Sequence, residues 1–155
     1  MSKSLRRVTE ALQAAGIDVA PVEIGNATTA QMAADLVGCD IAQIAKSIMF
    51  LGNTSGVAVL FVTSGANRVA DARAATVAGE PLGKADAGLI RAQTGFAIGG
   101  VSPVGHLTRP RAFFDPHLLT FPQVWAAAGT PRHLFGIDPA QLLRISGAQE
   151  AEFTA

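Results

Sequence analysis

The sequence predicts a mixed α/β fold, with a single sheet surrounded by helices. Three observations carry this. Strand-like and helix-like segments alternate irregularly along the chain, rather than in the strict βαβ order of a doubly wound parallel sheet. Two apolar, β-branched runs flank Gly52-Asn53-Thr54-Ser55-Gly56, which reads as a hairpin. Hydrophobic residues make up 49% of the 155 positions and charged residues 15%, so one sizeable core is available and a disordered chain is excluded. The length fits one compact domain over residues 1–155, with no repeat, low-complexity tract or linker.

The elements follow in order. Ser4 precedes a helical pattern in which Leu5, Val8 and Leu12 share one face, and Gly16 closes it. Val19 to Ile24 reads as a strand. Thr28 or Thr29 caps a helix through Met32, Ala33 and Leu36, which Gly38 ends. Ile41 to Ala45 reads as a short helical turn. Ser47 to Leu51 and Val57 to Thr63 are the strands of the hairpin. Arg68 to Ala78 and Asp86 to Thr94 read as helices, and Phe96 to Ile98 as a short strand before a glycine-rich turn. Ala112 to Phe114, Gln123 to Ala127 and His133 to Ile137 are later strands. Asp138 caps a closing helix, Pro139 to Ile145, and residues 149–155 are expected to fray.

Composition excludes several classes. The longest apolar runs, near Val57 to Val62 and Ala126 to Ala128, fall far short of the roughly 18 residues of a membrane span. Residues 1–7 are polar and basic and show no apolar signal region, so a cytoplasmic protein is expected. Cys39 is the single cysteine, which excludes an intrachain disulfide and a cysteine-based zinc site. Twelve Lys and Arg balance twelve Asp and Glu, so no broad basic field marks a nucleic-acid surface. Local groups remain at Lys3, Arg6 and Arg7, and at Arg109, Arg111 and Arg132. With no Tyr and one Trp, an aromatic platform for single strands is not expected.

Familiar catalytic motifs are absent: there is no phosphate loop of the G-x-x-x-x-G-K type and no G-x-S-x-G elbow. His106, His117 and His133 lack the i, i+4 spacing of a zincin, and neither metal nor cofactor is expected. Two features remain. Lys46 stands between the apolar turn Ile41 to Ala45 and the apolar strand that follows, a position suited to an ammonium aimed into a cleft. It equally suits a lysine snorkelling at a strand end. Gly99-Gly100-Val101-Ser102-Pro103-Val104-Gly105-His106 cannot be regular structure, and its glycines permit main-chain N–H groups to approach a ligand. A plain crossover loop has the same composition.

Ile44-Ala45-Lys46-Ser47-Ile48, the strand pair after it and the Gly99-to-Pro103 loop, in that order, resemble the YbaK/ProX-type aminoacyl-tRNA deacylases. These are similar to the editing insertion domain of bacterial prolyl-tRNA synthetase, and the resemblance runs from about Leu5 to Gly147. It implies hydrolysis of the ester joining a wrong amino acid to tRNA, with the tRNA acceptor end as partner and prolyl-tRNA synthetase as a further one. By resemblance Lys46 contacts the terminal adenosine or phosphate, and the main chain at Gly99 and Gly100 holds the ester carbonyl. His133 stands where some members place a late histidine.

Substrate-binding residues expected around these motifs are Ser47, Met49 and Phe50 beside Lys46, and Ile98, Val101, Ser102 and Pro103 around the loop. Thr28, Thr29 or Ser102 would supply a hydroxyl, although each suits a cap or turn equally well. The apolar set suits a short aliphatic side chain better than a charged one, and the resemblance implies tRNA(Pro) bearing a small amino acid, so the expected substrate is tRNA(Pro) carrying alanine, 2-aminobutyrate, serine or cysteine. A non-catalytic module binding aminoacyl-tRNA or a synthetase is the competing expectation, and a small-molecule-binding α/β domain is a third.

Overall fold

A computed structural model describes residues 2–155. Helix α1, Lys3–Ala14, buries the Leu5, Val8, Leu12 face; its cap is Ser2 rather than Ser4, the Ser2 hydroxyl accepting from the Leu5 N–H at 3.1 Å. Strand β1 is only Val22–Glu23. Helix α2, Ala30–Val37, starts at the Thr29 hydroxyl, which accepts from the Met32 N–H, and stops at Gly38 in the left-handed region. A single 3-10 turn, Ile41–Gln43, leads directly into β2, Ile44–Gly52. Strand β3, Ala58–Ser64, is buried throughout.

Helix α3, Asp71–Ala78, begins three residues later than the pattern suggests. Strand β4, Leu82–Lys84, precedes α4, Ala87–Thr94, which Asp86 caps. The segment Phe96 to Ile98 is not a strand but part of the turn itself. Strand β5, Arg111–Phe114, leads into a 3-10 segment, Pro116–Thr120. Then come β6, Val124–Ala127, β7, His133–Ile137, and α5, Pro139–Ser146, capped by Asp138.

The expectation of a frayed tail is overturned. Strand β8, Gln149–Glu150, pairs with β5, and Thr154 bridges Val69. Phe153 is fully buried, its ring edge-on to Phe61 at 4.8 Å between centroids. Apolar burial of one large ring outweighs the fraying entropy of a few residues.

Among the described residues eight strands form one mixed sheet, in the order β1-β7-β6-β2-β3-β5-β8, with β4 also paired to β2. The β2–β3 hairpin is antiparallel, whereas β2–β6, β3–β5 and β5–β8 are parallel. Side-chain alternation along β2 and β3 sorts the core into two layers. Ala45, Met49, Leu60 and Val62 face α1, Phe96, Val101 and Leu142. Ile48, Phe50, Val59 and Phe61 face Ala74, Ala78, Phe113 and Phe153.

Candidate functional site

A strand pairs continuously only where its neighbours run alongside it, and on one side of β2 they do not. There β6 pairs with Ile44 and Ala45, and β4 with Phe50, Leu51 and Gly52. The gap between β6 and β4 opens into a cleft of about 750 Å³, lined from both faces of β2. α2 contributes Ala30 and Ala33, with Thr28 and Thr29 ahead of it. The β4 segment contributes Leu82, Gly83, Lys84 and Ala85, α3 contributes Asp71 and α4 contributes Ile90. The glycine turn adds Ile98, Gly99 and Val101, and the end of β6 with the β6–β7 connection adds Ala127, Thr130 and Pro131.

Lys46 lines this cleft as the third residue of β2, not as a strand-leading residue after a helical turn. Its Nζ donates to the Asn67 carbonyl at 2.9 Å. The Asn67 amide donates in turn to Asp115 Oδ2 at 3.0 Å, and Asp115 also accepts from the Ser64 and His117 N–H groups. Burial holds the lysine below its usual pKa, the Arg68 charge lowers it further, and Asp115 opposes both. The ammonium is therefore oriented by main chain and one buried carboxylate. It leaves β2 on the Ile48 side, while Ser47 and Met49 leave on the other.

The glycine turn divides between the cleft and the protein interior. Gly99 lies in the cleft with φ +96°, and a Cβ there would meet nothing within 4 Å. Gly100 is different. It does not line the cleft, its N–H donates to the Ala97 carbonyl at 3.1 Å, and a Cβ would stand 2.8 Å from Thr130 Cα. The N–H expected to face an ester carbonyl is thus engaged within the turn, and the close approach of two main chains accounts for a glycine there. The N–H groups of Gly99 and Val101 have no intramolecular partner among the described residues.

Ser102 is also turned inward, fully buried, its Oγ accepting from the Val104 N–H and its carbonyl from His106 Nε2. Pro103 lines a separate cavity of about 450 Å³ with His106 and Arg109. His133 does not line the cleft; its Nδ1 is 2.7 Å from the hydroxyl of Thr130, which does. Thr29, Ser47, Met49, Phe50, Ile98 and Val101 all line it. Thr29 is at the same time a helix cap, and Ser47 Oγ is buried without a partner. Sequence reasoning missed Asp71, Leu82 to Ala85, Ile90, Thr130 and Pro131, which reach the cleft only through long-range packing. Among the described residues no group of three or more His, Cys, Asp and Glu side chains could hold a metal ion, and no helix is long and apolar enough to cross a membrane.

A mixed sheet whose central strand is left open, with a lysine on one face and a glycine turn on the other, defines an α/β domain built around one ligand-sized cleft. Residues 25–145 match the family model of the aminoacyl-tRNA editing domain, and the chain belongs to that family. It is 30% identical over 129 residues to the uncharacterized protein YwhH of Bacillus subtilis (strain 168), spanning 83% of this chain and 81% of that one. A crystal structure provisionally described as a trans-editing enzyme for prolyl-tRNA synthetase superposes with TM-score 0.92 at 46% identity, covering 100% of this chain and 99% of the other. The hypothetical protein APE2540 superposes with TM-score 0.87 at 27% identity, over 96% and 99%.

Proposed function

We propose that this editing domain acts in trans as a hydrolase, cleaving tRNA(Pro) mischarged with alanine or a similarly small amino acid. The observation that carries the reading is the cleft itself. It sets an oriented ammonium, Lys46, and two unpartnered N–H groups, Gly99 and Val101, around one space. An aminoacyl ester is already activated, so positioning and carbonyl polarisation suffice without a strong nucleophile. Water attacks the acyl carbon, the bond to the ribose oxygen breaks, and that oxygen takes a proton. Free amino acid and deacylated tRNA leave. The substrate's own 2′-hydroxyl is suited to orient the water, and Lys46 to hold the terminal phosphate or adenosine.

Ala30, Ala33, Ile48 and Ala127 give the cleft an apolar wall suited to an aliphatic side chain. A pocket of this kind rejects by shape, and one methylene is worth only about 1–3 kcal/mol. The 46% identical structure supports tRNA(Pro) and an association with prolyl-tRNA synthetase. The decisive experiment is single-turnover hydrolysis of tRNA(Pro) charged with alanine, serine, cysteine, 2-aminobutyrate or proline. Alanyl and neighbouring small esters are cleaved and the prolyl ester is spared. Fastest cleavage of the prolyl ester, or cleavage of none, overturns the reading and favours a non-catalytic aminoacyl-tRNA-binding module.

A further inference from the structure

The ladder around β2 accounts for its main-chain groups one by one. Gly65 N–H donates to Ile44 C=O, and Gly52 N–H to Val57 C=O, so the even-numbered residues of β2 face β3 and the odd-numbered ones face the gap. On that open side the parallel register with β6 engages Ala45. The antiparallel register with β4, in which Leu51 and Gly83 form the close pair and Phe50 opposes Lys84, engages Leu51 and the Met49 carbonyl. Ser47 N–H, Ser47 C=O and Met49 N–H are left without a strand partner, in the middle of the sheet and at the wall of the cleft. Beside them lies Ser47 Oγ, buried and unpaired. A buried hydroxyl without a partner is rare, and main-chain groups on a bare strand edge are ready to bond a ligand.

We propose that the bare edge of β2, Ser47 C=O and Met49 N–H, is the subsite that reads the adenine of the tRNA's terminal nucleotide. A C=O and the N–H two residues on, along one strand edge, present an acceptor and a donor in the spacing that a neighbouring parallel strand spans. The Watson–Crick edge of adenine carries the complementary couple, an N6–H donor beside the N1 acceptor. Single-stranded RNA ends are recognised in this way, by edge hydrogen bonds and apolar cover for the base faces. The cover is present. Met49, Leu82, Ile90 and Ile98 line the same cleft, and Ile98 is 61% exposed at the lip of the turn. A volume of about 750 Å³ also exceeds what a small aminoacyl group fills and lies within the range of nucleoside-sized sites. Ser47 Oγ supplies a further polar contact on the same wall. This inference rests on the tRNA-editing reading for its ligand, and the test separates the two.

The test follows the backbone amide resonances of the whole protein during titration with AMP and, separately, IMP. The two share ring size and phosphate, but IMP reverses the couple, with an N1–H donor and a 6-oxo acceptor. AMP is expected to shift Ser47 and Met49 saturably and to bind at least about tenfold more tightly than IMP, roughly 1.4 kcal/mol. Ile98→Ala is expected to weaken AMP several-fold and to raise KM for aminoacyl-tRNA with kcat little changed. Equal binding of AMP and IMP, or shifts that leave Ser47 and Met49 unmoved, overturns the subsite even if alanyl-tRNA(Pro) is hydrolysed. AMP-specific shifts at these two residues in a protein that hydrolyses no ester support the subsite and overturn only the activity.

Discussion

At the scale of single residues, Lys46 is the group most exposed to experiment. Its ammonium is held by the Asn67 carbonyl, and burial lowers its pKa. Removing a charge-assisted contact to substrate costs about 1.5–3 kcal/mol. Lys46→Ala is therefore expected to lower kcat/KM for alanyl-tRNA(Pro) by one to two orders of magnitude, while its circular dichroism stays native. Wild-type turnover in that variant refutes the assignment. The proposed contact to a phosphate requires the protonated form, so kcat/KM, after subtraction of uncatalysed hydrolysis, is expected to decline with rising pH through a value below the usual 10.5. Lys46→Arg removes that alkaline limb. The two glycines of the turn separate cleanly. Gly100→Ala forces its Cβ into Thr130 and is expected to lower stability in urea unfolding by about 1–3 kcal/mol. Gly99→Ala meets open space but a positive φ, and is expected to cost about 1–2 kcal/mol while perturbing kcat/KM more strongly. Unchanged unfolding midpoints in both leave the turn without the constraint described.

At the scale of elements, the tail behaves as a fastener. Phe153→Ala is expected to cost about 3–5 kcal/mol in urea unfolding, because the ring lies fully buried against Phe61 beneath the strand pair. A loss below 1 kcal/mol would return residues 149–155 to the frayed reading. That segment illustrates what local pattern does not carry: Gln149–Glu150 is two polar residues, and only the β5 edge makes them a strand. The hairpin, a cap at Thr28 or Thr29 with its Gly38 stop, and the Asp138-Pro139 helix start were legible because turn and cap chemistry is local. The beginning of β2 was not, since Ile44 and Ala45 close a short stretch, Ile41 to Ala45, that fits a helical turn or a strand start equally. The lysine, the glycine turn and several apolar wall residues were legible as candidates. Their arrangement was not, because the cleft exists only where β6 and β4 part from β2.

At the scale of the whole molecule, His106 ties the N-terminal helix to stability against acid. It lies half-buried between the glycine turn and α1, its Nε2–H donating to the Ser102 carbonyl at 2.7 Å. Burial, then the charges of Arg109 and Arg7, lower its pKa from 6.5 to about 4, although the Ser102 carbonyl pulls the other way. The folded state thus binds fewer protons than the unfolded one between these values. Its contribution is complete above pH 6.5 and is lost as pH falls toward 4. Between pH 7 and pH 5 this amounts to about 1–2 kcal/mol. His106→Gln is expected to flatten that part of the stability profile, and an identical slope in the variant would remove His106 as its source. The strand order also bears on how the chain is made. Strand β1 waits for β7, β2 for β6, and the outer edge of β5 for residues 149–150. A ribosome that has released only the first 120 residues presents the β2–β3 hairpin with its β6 partner still unmade. Such late, long-range closure slows folding and leaves apolar edges uncovered, so nascent chains arrested near residue 120 would be protease-sensitive clients of chaperones, and protection would arrive only as the final strand emerges.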